Sequence, residues 1–196
     1  MMRDVGSADA TARAAIPDAA LLIKDFVNTV DRAAQTETFT SAPALRAWLE
    51  AHDLAHQAKP LTEDDLTRAR AVREGLRQLL LVNAGHAPDV GALERFNSVL
   101  GATAVTVRFD ATGRRLLDAA ESAPLDAAIA ALLAAVDELR AAHVWERLKV
   151  CARDECRWAY YDASRNRSGR WCSMTDCGNR VKMRRAYAAR THGSDA

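Results

Sequence analysis

The chain has 196 residues, 49% hydrophobic and 27% charged, with a formal net charge of +1. That is the balance of a soluble globular protein of one large or two small domains; it excludes a wholly disordered or fibrous chain and a polycation. Four cysteines are too sparse for a secreted disulfide scaffold, and all four fall between positions 151 and 177.

Residues 1–17 are small, polar and alanine-rich, with no apolar core of signal-peptide length, and are expected to form a flexible tail. Over residues 18–34, Leu21, Leu22, Phe26, Val27 and Val30 mark one face of a helix. Ser41 and Pro43 open a short helix that runs through Trp48 to His52. Thr62 followed by Asp65 has the form of a capping box, and Leu66, Ala69, Val72, Leu76, Leu79 and Leu80 then keep helical period as far as Gly85. A further helix is expected over 89–100, stopping at Gly101.

The period then changes. Residues 104–109 alternate, 110–113 make a turn and 114–117 return, so a β-hairpin is expected near 103–118. Pro124 opens a helix rich in Ala and Leu to about residue 142. Its apolar run between Asp126 and Asp137 is far short of the ~20 residues that span a bilayer. These features lead to the expectation of a cytoplasmic protein without a membrane segment. In that reducing compartment clustered cysteines favour a metal over disulfides.

Charge divides the chain. Residues 1–150 carry 17 Lys/Arg against 21 Asp/Glu, a net −4, whereas 151–196 carry ten against five, a net +5. An acidic body is joined to a basic module.

In that module the cysteines are spaced Cys151-x4-Cys156-x15-Cys172-x4-Cys177. Two close pairs on tight turns, with a loop between them, suit one tetrahedral ion. Zinc is the usual structural choice for four thiolates; iron is chemically possible, and two disulfides or free thiols are the alternatives without a metal. Four cysteines leave no open position for catalysis, so the single Zn²⁺ is read as structural. Residues 157–162 are strand-like, 164–169 can turn and 170–171 can pair back, with a helix over 179–190. Knuckle, hairpin, knuckle, helix is the order of a treble-clef finger. The fold class expected is therefore a mainly α N-terminal domain with a small β-hairpin (α+β), followed by a treble-clef-like zinc finger with four cysteine ligands.

These residues carry a resemblance. Cys151 and Cys156, then Tyr161-Asp162-x-Ser164-Arg165-Asn166, Arg170-Trp171-Cys172-Ser173-Met174 and Cys177-Gly178-Asn179-Arg180, resemble the CGNR zinc finger over about 40 positions. Asp25-Phe26-Val27-Asn28-Thr29, Val72-Arg73-Glu74 and Leu148-Lys149 are similar to the ABATE domain that precedes this finger. The resemblance implies an ABATE-like domain over 18–146, a finger over 147–190 and a tail over 191–196. It also implies Cys151, Cys156, Cys172 and Cys177 as zinc ligands, and a stress-responsive bacterial transcription regulator whose finger binds DNA.

The basic residues fit that expectation. Window 157–190 holds nine Lys/Arg against Asp162 and Asp176, a net +7. Arg165, Arg167 and Arg170 on the loop, with Lys182, Arg184, Arg185 and Arg190 on the last helix, are candidates for phosphate contact; the helix cations form no single stripe, and the alternative is that some arginines neutralise the zinc thiolates or pack on the acidic first domain. Asn179 and Arg180 either bond to the surroundings of the zinc thiolates or touch base edges. Trp158 and Trp171 are expected to pack against the metal site.

In the first domain, Asp25, Asn28 and Thr29 share a helical face, and Arg73 is expected to pair with Asp25. They form either a pocket for a small-molecule effector or a buried polar network. The leading functional expectation is a zinc-dependent regulator whose N-terminal domain senses a ligand or forms a homodimer. The alternative is a zinc-stabilised module that docks protein or RNA. No nucleophile–base pattern stands out, so an enzyme is not expected; a deep pocket joining Asp25, Asn28 and Arg73 would argue for one.

Overall fold

The computed structural model describes residues 16–55, 59–119 and 124–192, without the side chains of Pro124, Arg185, Ala186 and residues 188–192. Of the two expected tails, residues 1–15 and 193–196 lie outside the described residues.

Helix α1, Asp18–Val27, buries Ala20, Ile23, Phe26 and Val27. The expected helix over 18–34 stops here. Asn28 caps α1, and the chain turns into a short ladder of β1, Val30–Asp31, with β2, Thr36–Glu37. Asp31 holds that turn by accepting from the Ala33 and Ala34 amides, both at 2.9 Å.

Helix α2, Ala42–Ala51, starts at Ser41, whose hydroxyl accepts from the Ala44 amide. Helix α3, Glu63–Asn83, starts on the full capping box of Thr62 and Asp65. Helix α4, Val90–Ala102, is capped by Asp89 and runs through Gly101, slightly past the expected stop. Strands β3, Val105–Phe109, and β4, Arg115–Ala119, form the expected antiparallel hairpin, from Val105 opposite Ala119 to Phe109 opposite Arg115. Helix α5, Pro124–Ala141, packs beneath it and against α1.

A 3-10 turn, Trp145–Arg147, leads into β5, Leu148–Val150, which pairs antiparallel with β6, Ala159–Tyr161. The strand expected over 157–162 therefore exists, but its partner is 148–150 and not 170–171. The Arg170 carbonyl instead accepts from the Ala152 amide at 2.9 Å, laying that segment against the first cysteine turn. A π-helical turn, Met174–Gly178, runs into the last helix, α6, Asn179–His192.

One apolar core joins these elements. Ile23, Phe26, Leu76, Leu80, Ile129 and Leu132 are in it, and so are Leu148, Val150 and Ala159 from the β5–β6 hairpin. A second, smaller cluster holds Cys151, Cys156 and Cys177, with Cys172, Trp158 and Trp171 packed on it. The hairpin thus belongs to the body at one end and carries the first cysteine turn at the other. Among the described residues no helix is long and apolar enough to cross a membrane.

Candidate metal centre

The four cysteine sulfurs lie within 4.8 Å of one another. The Sγ atoms of Cys156 and Cys172, and of Cys172 and Cys177, are 3.7 Å apart. A zinc tetrahedron with Zn–S near 2.3 Å has edges of about 3.8 Å. A disulfide needs about 2.05 Å, and all four cysteines are free thiols. The donor set fits one Zn²⁺ bound by four sulfurs.

The crowding moves the thiols in opposite directions. Hydrogen bonds from the Cys156 and Cys172 thiols hold Cys151 far below the ordinary thiol range. The same closeness to Cys151 and Cys156 pushes Cys172 far up. Burial pushes Cys177 up to about 11. Four thiolates this close need a cation among them.

Two turns build the cage. In the first, between β5 and β6, the Cys151 amide donates to the Trp158 carbonyl at 2.9 Å, and the Cys156 and Arg157 amides donate to the Arg153 carbonyl at 3.0 Å. Arg157 takes a left-handed conformation, φ 49°, that turns the chain back into β6. In the second, the Ser173 hydroxyl accepts from the Asp176 amide at 3.2 Å, and the Gly178 amide donates to the Ser173 carbonyl at 3.0 Å. Gly178 sits close to its neighbours: a Cβ there would stand 3.0 Å from Met174 Sδ and 3.3 Å from the Trp171 ring, so the Met174 side chain would have to give way.

Asp162 organises the loop between the cysteine pairs. Its carboxylate accepts from Lys149 Nζ at 2.8 Å, from the Ser164 hydroxyl and amide at 2.6 and 3.1 Å, and from the Gly169 amide at 2.7 Å. Burial raises its pKa, but those bonds win and hold it at about 2. Lys149 also donates to the Arg167 and Gly169 carbonyls. This buried ion pair at the end of β6 fixes the loop that presents Arg165, Arg167 and Arg170 to solvent.

The basic residues fall out as follows. Arg165, Arg167, Arg170, Arg180, Lys182 and Arg184 are exposed; the side chains of Arg185 and Arg190 lie outside the described residues. Arg167 bonds to the His143 carbonyl at 3.2 Å and stands 3.7 Å from Glu146. Arg170 lies over the Trp171 ring. Asn179 donates to the Thr175 carbonyl at 3.0 Å, so its amide ties the π turn to the start of α6.

The polar residues of the first domain do not converge on one pocket. Asp25 pairs with Lys24 at 3.2 Å and lines an open depression with His52 and Glu138. The expected Asp25–Arg73 pair does not form, because Arg73 makes a two-pronged bond to Glu37 at 2.6 and 2.8 Å. Arg73 also reaches the Thr29 hydroxyl at 3.2 Å and Glu74 at 3.1 Å. Asn28 turns the other way, to the backbone of Ala159 in β6. Arg77, which the sequence does not single out, continues this network. Glu74 accepts from Arg77 Nε at 3.1 Å, and buried Arg77 reaches the Val27 carbonyl at 2.6 Å and the Arg157 carbonyl at 2.8 Å. Arg77 follows Arg73 by four residues, a spacing that puts both on one helix face.

Comparison with known families agrees with this geometry. Residues 147–190 match the CGNR zinc finger. Residues 21–146 match ABATE, whose description reads "Putative stress-induced transcription regulator". No curated protein matches the chain. The chain belongs to the ABATE family and carries a CGNR zinc finger after the ABATE domain.

Proposed function

We propose that this protein is a zinc-dependent bacterial transcription regulator. One structural Zn²⁺, held by Cys151, Cys156, Cys172 and Cys177, braces a basic surface that contacts DNA. The observation that carries the reading is the placement of the cysteine cluster between an exposed arginine loop and a basic helix. Zinc supplies the folding energy of the second turn and the start of α6. Lys149 and Asp162 hold the loop, so Arg165, Arg167 and Arg170 meet phosphates without first paying its ordering entropy. The finger is read as treble-clef-like, since a cysteine turn in a hairpin faces a second turn that leads into a helix.

The ABATE domain is read as the regulatory part, through an effector or a homodimer. Its open depression has a volume of about 760 Å³ and is lined by Asp18, Asp25, His52, Arg114 and Glu138. The protein is treated as non-catalytic and cytoplasmic. Arg73, Thr29 and Asn28 are engaged in bonds between elements, which suits a scaffold more than a reaction site.

A second reading rests on the exposed Met174, Met183 and Tyr187 around the second turn and α6. Apolar side chains there suit a protein partner, in which case the finger is a docking module. The experiment that separates the two is a charge reversal of the helix. Arg184→Glu with Arg185→Glu is expected to abolish binding to labelled duplex DNA at moderate salt while one zinc per chain remains. Binding that survives the double reversal would refute the DNA-contacting helix.

A further inference from the structure

Beside the zinc cage, Arg153, Arg180 and Arg184 surround a cavity of about 320 Å³, and Glu155 is the carboxylate that lines it with them. Glu155 Oε2 stands 3.5 Å from Arg153 Nε, and its Oε1 stands 3.5 Å from Arg184 Nη1. Both contacts are at the outer limit of a hydrogen bond: Arg184 Nη1 donates to Glu155 Oε1 at that length, and Arg153 Nε does not bond at all. The Arg153 side chain is only 11% exposed, yet its buried Nε–H has no hydrogen-bond partner. A buried donor left unpaired costs free energy, and the residue that carries it lines a cavity shared with two further guanidiniums. Three positive charges face one exposed carboxylate.

We propose that Arg153, Arg180 and Arg184 form a binding cleft for a phosphate group, over which Glu155 stands as a weak internal stand-in that the phosphate displaces. A phosphate offers several strong acceptor oxygens, enough for the unpaired Arg153 donor and both helix arginines. Glu155 offers two and meets the arginines poorly. The spacing explains how the cleft forms. Arg180 and Arg184 are one helical turn apart on α6, and Arg153 and Glu155 are brought to the same face by the first cysteine turn.

A rival role for these arginines is to offset the charge of the zinc thiolates. Arg153 and Arg180 do line an adjoining cavity of about 370 Å³ with Cys156, Cys172 and Cys177. Arg184 lines the first cavity and not the second, which a role limited to the thiolates leaves unexplained. Asp31 and Asp176 line the adjoining cavity and direct an anion to the end where Arg184 stands.

The phosphate can be free or part of a nucleic-acid backbone, and only the second source rests on the function proposed above. The test therefore has two probes, inorganic phosphate and a random DNA duplex, each added to the full zinc-loaded chain. The readout is the Nε–H signal of Arg153 in a proton–nitrogen correlation spectrum, assigned by its loss in Arg153→Lys. Both probes are expected to move it. Glu155→Gln is expected to tighten phosphate and duplex binding roughly two- to fivefold, the worth of a partly exposed ion pair. Arg184→Gln is expected to keep zinc and lower the salt slope of duplex binding by about 1. Movement with phosphate and no duplex binding would keep the cleft and sink the DNA reading. Duplex binding with a stationary Arg153 signal would do the reverse. Unchanged affinity for both probes in Glu155→Gln would overturn the stand-in role.

Discussion

Asn28 clasps the backbone of Ala159 with both ends of its side-chain amide: Nδ2 donates to the carbonyl at 2.9 Å, and Oδ1 accepts from the amide at 2.8 Å. The two residues are 131 positions apart, one at the end of α1 and the other in β6. Ala159 is fully buried and its neighbour Trp158 packs on the cysteines, so this contact ties the ABATE body directly to the zinc finger.

Asn28→Ala leaves a buried amide and a buried carbonyl of Ala159 without partners. The expected loss is about 3 kcal/mol of unfolding free energy, from roughly 1–3 kcal/mol per orphaned group. Urea denaturation of the zinc-loaded protein measures it, and amide exchange at Ala159 should rise in step. A loss under about 0.5 kcal/mol would mean that water replaces the clasp.

Arg77 extends the same connection through its bonds to the Val27 and Arg157 carbonyls and to Glu74. Arg77→Met keeps much of the volume and removes all three. A loss of about 2–4 kcal/mol is expected, since the buried carbonyls and part of the Glu74 charge are left uncompensated. Thermal melting against wild type is sufficient to see it.

Asp162 gives the stability of the loop a pH signature. Its folded pKa, about 2, lies below the unfolded value, so its contribution is present above about pH 4 and is lost as pH falls toward 2. Comparison with Asp162→Asn isolates this contribution, because thiol protonation strips zinc from both proteins. The wild-type advantage should be full at about pH 6 and shrink toward pH 2. An advantage that stays constant down to pH 2 would contradict the assignment.

Gly169 and Gly178 are predicted to differ in tolerance. A Cβ at Gly169 would sit 2.8 Å from the Asp162 carboxylate, which four bonds hold in place. At Gly178 the nearest atom is the thioether of Met174, a flexible side chain that is 62% exposed. Gly169→Ala should cost about 1–3 kcal/mol and Gly178→Ala less, as read by melting of zinc-loaded protein. Equal tolerance would show that the loop yields more readily than its hydrogen bonds suggest.

What the sequence disclosed was local. Ser41 with Pro43, the Thr62–Asp65 box and the alternation of residues 104–109 act within a few positions, and each formed its element. The clustered cysteines were equally plain, because two tight turns need only their own spacing to aim four sulfurs at one point. The end of α1 was hidden, since it is set by the use Asn28 finds in a distant strand. The partner of β6 was hidden for the same reason: 148–150 lies across the first cysteine turn, outside the cysteine loop in which a pairing strand was sought. Arg73 was seen as polar and interior, but its choice of Glu37 over Asp25 depends on the β1–β2 turn. Arg77 and Lys149 look like surface cations in sequence and are buried only because backbone carbonyls from other elements converge on them.

Removing zinc tests the division between body and finger. A chelator, or Cys172→Ser, should free residues 171–192 to exchange their amides while β5 and the Asp162 loop keep their protection, since Leu148 and Val150 sit in the main core and Asp162 is tied to Lys149. Loss of protection across β5 as well would mean that the metal also holds the body.

The most direct measurement of the central claim is binding of the zinc-loaded protein to random duplex DNA across a salt series. The account predicts binding at low salt that weakens steeply as salt rises, with a sequence enriched on selection. No binding even at low salt would contradict it and leave the finger as a docking module for a protein partner.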